Sequence, residues 1–137
     1  MKIELQNKLF EKYPKIFAQK DLDKSQTCMC WGVECGDGWY WLIDNLCEHL
    51  QFHIDRNGKP QIEAVQVKEK FGGLCFCVQR ANQEEQPRLE FLRGAICFTE
   101  KLSRSICESC GSTENVTTPQ SKSGCIATRC QKCLKAF

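Results

Sequence analysis

Cys107-Glu108-Ser109-Cys110-Gly111 is followed, with nineteen residues between Cys110 and Cys130, by Cys130-Gln131-Lys132-Cys133. Two C-x2-C pairs at this separation have the spacing of a four-thiolate zinc site. Each pair suits a tight turn whose sulfurs converge on one metal at about 2.3 Å, and the stretch between them is long enough to return as a hairpin. Gly111 suits a knuckle turn. A module of this length has too little core to fold without a staple, so one structural Zn2+ on Cys107, Cys110, Cys130 and Cys133 is expected. Four protein thiolates leave no open position for a reactive water, which argues against a catalytic zinc. Cys125 is a spare thiol that could stand in for Cys130 or lie buried.

The chain has 137 residues, 42% hydrophobic and 26% charged, enough for one α+β body with a real core and a small appended module. The division expected is 1–106 for the body and 107–137 for the zinc-binding module. The start, Met1 to Lys8, lacks the apolar run of a signal peptide, and no stretch approaches a membrane span. A cytoplasmic protein is the expectation, and in a reducing cytosol twelve cysteines point to metal rather than to a disulfide framework. The formal charge of +2 leaves out the net −2 of four thiolates around a divalent ion, so the metallated chain is near neutral. No strong electrostatic footprint for nucleic acid follows.

Residues 2–13 carry Ile3, Leu5, Leu9, Phe10 and Tyr13 at near-helical spacing, and Pro14 closes that helix. Residues 15–27 read as a polar loop anchored by Ile16, Phe17 and Leu22. Gly36-Asp37-Gly38 reads as a sharp turn, with Asp37 placed to cap the helix that follows. In that helix, about 39–54, Trp39, Leu42, Ile43, Leu46, Cys47 and Leu50 form one apolar stripe, and Asn57-Gly58-Lys59-Pro60 stops it. Val65 and Val67 alternate with polar residues before Gly72-Gly73, and Leu74, Phe76 and Val78 alternate after it. The pattern is an antiparallel β-hairpin with those five residues on its buried face and Cys75 and Cys77 on the other. Pro87 suits the first turn of a third helix, whose apolar side is Leu89, Leu92, Ile96, Leu102 and Ile106.

Other candidate ligands carry weaker spacing. Cys28, Cys30 and Cys35, with or without Cys47, include only a C-x-C, and a second zinc site is not expected there. Cα atoms two apart on a strand lie about 6.7 Å from each other, so joint ligation by Cys75 and Cys77 would need distortion. His49 and His53 are four apart and could share a metal, but a solvated flank explains them more simply. Glu34, Asp37, Asp44 and Glu69 are carboxylates that capping and solvation explain as well as acid–base chemistry does. Trp31, Trp39, Tyr40 and Trp41 crowd one short region, more large aromatics than a core need absorb. With Asp37 and the turn residues Lys68, Lys70 and Phe71 they form the candidate partner-binding surface.

At Trp31–Trp39 (WGVECGDGW), Val65–Leu74 (VQVKEKFGGL) and Ile106–Gly111 (ICESCG) the chain resembles a family of small uncharacterised bacteriophage and bacterial proteins. The likeness runs from about Trp31 to the C-terminus. Members of that family usually have Arg and an aromatic where this chain has Cys75 and Cys77. The resemblance implies a phage or prophage origin, with the host cytoplasm as the location, and no activity. The expected function is therefore a non-enzymatic, zinc-stabilised protein that binds or inhibits a host protein such as a defence component. The alternatives are a nucleic-acid-binding accessory using Arg129, Lys132 and Lys135, and a small enzyme using Asp37 or Glu69.

Overall fold

The apolar stripe of residues 42–54 lies along α2, which spans Tyr40–Asn57, and every stripe residue from Trp39 to Leu50 is buried. The computed structural model describes residues 1–82, 90–121 and 123–135. Gly58 ends α2 in the left-handed conformation (φ 55°), and the Lys59 N–H returns to the Ile54 carbonyl at 3.2 Å. Ahead of α2, Asp37–Trp39 forms a 3-10 turn. Asp37 does not cap α2; its Oδ1 accepts the Lys2 N–H at 2.7 Å, at the head of α1, Ile3–Lys12. A carboxylate at that end of α1 satisfies a free amide and complements the helix dipole.

The sheet is mixed, not purely antiparallel. β2, Ile62–Lys70, pairs antiparallel with β3, Gly73–Arg80, and the two-residue β1, Val33–Glu34, adds in parallel on the other side of β2. Lys70 pairs with Gly73, so the loop is Phe71-Gly72, both at positive φ (51° and 77°). Positive φ at both central residues is the type I′ geometry that suits strand twist. A bulge at Val65 shifts the alternation by one residue, so Ile62, Ala64 and Val67 face the core while Val65 is only half-buried. The bulged Val65 carbonyl accepts the Cys28 N–H at 3.1 Å, and the Ala64 N–H reaches the Ile16 carbonyl at 2.7 Å. Residues 15–27, expected to be a loop, thus cover the rest of the β2 edge, with a 3-10 turn at Ala18–Asp21. Ile16 and Phe17 are core anchors as expected, whereas Leu22 is exposed.

α3, Glu90–Ser103, covers the opposite edge. The outward Leu74 and Phe76 N–H groups donate to Ser103 Oγ and Glu100 Oε1, each at 2.8 Å. Leu92 and Ile96 are buried, Leu102 is exposed, and the expected Pro87 and Leu89 lie outside the described residues. Beyond α3 come a short antiparallel pair, β4 (Val116–Thr117) with β5 (Arg129–Cys130), and a single helical turn, α4 (Gln131–Leu134).

Residues 107–135 are packed directly on the body. The Gly38 N–H donates to the Glu108 carbonyl and the Gly36 N–H to Glu108 Oε1, both at 2.8 Å. A Cβ at Gly38 would collide with the Cys107 carbonyl and the Gly111 nitrogen, both backbone atoms. The Phe71-Gly72 turn makes the second seam: Thr128 Oγ1 donates to the Gly72 carbonyl, and Arg104 Nη1 to that of Phe71 at 3.0 Å.

Gly38→Ala should therefore lower stability by about 2–3 kcal/mol, read as a fall in the denaturation midpoint, because rigid backbone cannot yield to the methyl group. Phe71→Asn should act in the opposite direction, raising stability by about 1 kcal/mol in the same measurement, since Asn tolerates the left-handed region that a bulky side chain resists.

Candidate metal centre and flanking groove

The Ile106–Gly111 segment turns back on itself through two backbone bonds of 2.8 Å, Gly111 N–H to the Cys107 carbonyl and Cys107 N–H to that of Ser112. Gly111, at φ 78°, supplies the left-handed residue such a knuckle needs. The second pair is made differently: Cys130 ends β5 and precedes α4, and Cys133 lies one helical turn on. The four ligand sulfurs lie within 4.8 Å of one another, with Cys110 and Cys130 at 3.7 Å. Sulfurs sharing a tetrahedral metal at 2.3 Å stand about 3.8 Å apart, so Cys107, Cys110, Cys130 and Cys133 can hold one metal ion. Cys125 is exposed and is not a member of the cluster.

The peptide around the sulfurs prepares two of them, Cys107 and Cys130, for ionisation. Burial opposes a thiolate at Cys107 but is outweighed by the Cys130, Cys110 and Ser109 amides directed at its sulfur, which bring it down to about 6. The Cys133 amide likewise lowers Cys130. Cys133 is pushed up to about 12, first by its hydrogen bond with Cys110 and then by that with Cys130, which favour the protonated thiol. A divalent cation binds the deprotonated thiols and so displaces those protons, and acid, by protonating the ligands, opposes binding.

Glu108 and Arg129, each beside a ligand cysteine, form a partly buried ion pair at 2.7 Å. Glu108 thereby joins three parts of the molecule: its carboxylate reaches Arg129 and Gly36, and its N–H donates to the Thr128 carbonyl at 3.0 Å. The sequence marks these two residues only by their adjacency to Cys107 and Cys130, a signal easily taken for surface charge. Trp39 closes the assembly from beneath, fully buried, with its indole N–H on the Ile106 carbonyl at 2.9 Å. This corrects its expected place on a partner-binding surface: Trp39 is core.

Asp37, Tyr40 and Trp41 do share a surface. They line a groove of about 370 Å³ whose other walls include Leu5 of α1 and Cys110, Gly111 and Thr113 of the knuckle. Trp41 is 66% exposed there. Trp31, 65% exposed, and the turn residues Lys68, Lys70 and Phe71 are not among the groove's lining. Phe71 is 67% exposed with the Lys70 ammonium 5.7 Å from its ring centroid, and Lys68 pairs across the sheet with Glu34 and Cys75.

The remaining candidates are dispersed. Among the described residues, the four-cysteine cluster is the only group of three or more close potential ligands; Cys35 and Cys47 are buried in the core while Cys28 is exposed. Burial pushes the Cys35 thiol up to about 12. His49 and His53 pack edge to face at 4.5 Å, with Phe91 4.4 Å from His53, which makes them part of an aromatic cluster. Asp44 Oδ1 accepts from Lys12 Nζ and Tyr13 Oη, and Glu69 Oε1 accepts the Gly72 N–H at 2.6 Å. Asp37 also pairs with the Lys2 ammonium at 3.4 Å, so these carboxylates are engaged separately. Cys75 and Cys77 depart most from expectation: their sulfurs are 3.5 Å apart without any break in the strand.

Comparison with protein-family models, curated proteins and solved structures finds no match.

No helix among the described residues is long and apolar enough to cross a membrane. Removing the metal with a chelator, or Cys107→Ser, should lower the melting temperature and release the 107–135 segment to protease, while Cys125→Ser should change neither metal content nor melting. Protease mapping and elemental analysis check both halves of that expectation.

Proposed function

We propose that the protein is a non-enzymatic interaction module held together by one structural zinc ion, and that its groove receives a segment of a host protein. The carrying observation is the exposed Trp41, beside Tyr40, over a groove walled by the metal knuckle. Large aromatics that keep most of their surface in solvent are costly to display and are typical anchors of interfaces. Exposed Phe71 in the left-handed region supports the same role, since folding alone would favour another residue at that position. Zinc is the metal that four cysteines in paired knuckles suit best, and four protein ligands leave it no site for substrate.

The resemblance in the Trp31–Trp39, Val65–Leu74 and Ile106–Gly111 motifs supports a phage or prophage origin, with a bacterial defence protein in the cytoplasm as the partner. Nucleic-acid binding draws less support, because Arg129 is engaged with Glu108 in a partly buried pair and only Lys132 and Lys135 of that group stand on open surface.

Elemental analysis of protein purified without chelator should find one zinc per chain. A pull-down from bacterial lysate should then enrich one protein with the wild-type chain, and Trp41→Ala should weaken that complex by about 2 kcal/mol or more, roughly thirtyfold in Kd, with zinc content unchanged. Equal capture by wild type and Trp41→Ala, or enrichment of nucleic acid that falls steeply with salt, would overturn the assignment.

A further inference from the structure

Cys75 and Cys77 stand two apart on β3, so both side chains leave the sheet on the face opposite Leu74 and Phe76. Leu74 and Phe76 are buried in the core, whereas both thiols are half-buried. Their side chains lean toward each other until the sulfurs are 3.5 Å apart, far closer than the roughly 6.7 Å between Cα atoms in an extended strand. That separation is well beyond a disulfide bond of about 2.05 Å. It suits two sulfurs that share a third atom.

The angle at that atom follows from the distance. With metal–sulfur arms of about 2.3 Å, sulfurs 3.5 Å apart subtend roughly 100°. A linear two-coordinate ion would need them farther apart, and zinc would need two more ligands. Across the strand pair, Cys75 faces Lys68 and Cys77 faces Gln66, neither of them a ligand for a soft ion. No group of three or more potential ligands includes these thiols among the described residues. A bent, low-coordinate centre with a lone pair fits best.

We propose that Cys75 and Cys77 form a chelating dithiol site for a soft trivalent metalloid, arsenic(III) or antimony(III), separate from the four-cysteine centre. With a monosubstituted arsenical R–As=O, two As–S bonds form and two S–H bonds break. The oxygen leaves as water with both thiol protons, and arsenic stays trivalent, so neither oxidant nor reductant enters. Burial, then the hydrogen bond with Cys75, pushes Cys77 up to about 11, so at neutral pH it carries the proton that the departing water takes. The ammonium of Lys68, acting on Cys77 in the opposite sense, offsets part of that rise.

The test uses the full chain with zinc loaded in the four-cysteine centre, titrated with phenylarsine oxide and followed by native mass spectrometry. One arsenical should add with loss of one water, and the zinc should remain. Cys75→Ser, Cys77→Ser and Cys77→Ala should each weaken the adduct by about a hundredfold or more, because a single thiol loses the chelate advantage. Cys97→Ser and Cys125→Ser should leave it unchanged. Absence of an adduct on the wild type would overturn the proposal, as would an equally tight adduct on the Cys75→Ser, Cys77→Ser double variant or zinc loss at the first equivalent.

Discussion

The close approach of two backbone segments, Gly36–Gly38 and Cys107–Glu108, is the constraint on which the rest of this structure depends. Main chain meets main chain there, so the Gly38 position admits no side chain at all. Burying the amides of Gly36 and Gly38 would cost about 1–3 kcal/mol each if they were left unpaired; Glu108 accepts both, one at its carbonyl and one at its carboxylate. Buried Glu108 in turn needs a cation, and Arg129 supplies it from the strand that carries the third ligand cysteine. One short contact thereby ties α2, the first knuckle and the β4–β5 pair into a single arrangement.

The metal centre and this contact support each other. Metal ligation would hold the knuckle in the shape that meets Gly38, and Trp39 beneath it donates its indole N–H to the Ile106 carbonyl at the base of the knuckle. Closure of the groove follows as well, because Cys110 and Gly111 form one wall while α1 and the start of α2 form the others. Loss of the metal would therefore reach the proposed interaction surface through the wall it shares with the knuckle. With a divalent ion bound, the thiolate charge would offset the cations of the C-terminal segment, leaving Trp41 and Tyr40 as the more distinctive chemistry of that region.

Much of the fold was legible because it rests on local periodicity. The α2 stripe from Leu42 to Leu50 is buried residue for residue, and the C-x2-C pairs converge as their spacing implies. Errors arose where tertiary contacts change a local pattern. A bulge at Val65 exchanged its core place with Ala64, and the two-residue β1 was too short to show any alternation. Asp37 serves the head of α1 because folding brings Lys2 to it, a contact no sequence window contains. Trp39, Tyr40 and Trp41 are adjacent in sequence yet divide between core and groove, since the 3-10 turn that ends at Trp39 and the first turn of α2 aim successive side chains in different directions.

By itself, then, the sequence determined the helices whose apolar spacing matches the turn of the backbone, the hairpin, and the four-cysteine centre, each of which depends on residues close together or on a fixed ligand spacing. Only the tertiary structure decided what the conspicuous glycines are for. The Gly36-Asp37-Gly38 and Phe71-Gly72 turns are the two seams where the cysteine module meets the body, one by backbone contact and one through Thr128. Tertiary structure also decided that Cys75 and Cys77 converge, because side-chain lean across a strand face is set by surrounding packing and leaves no trace in residue spacing.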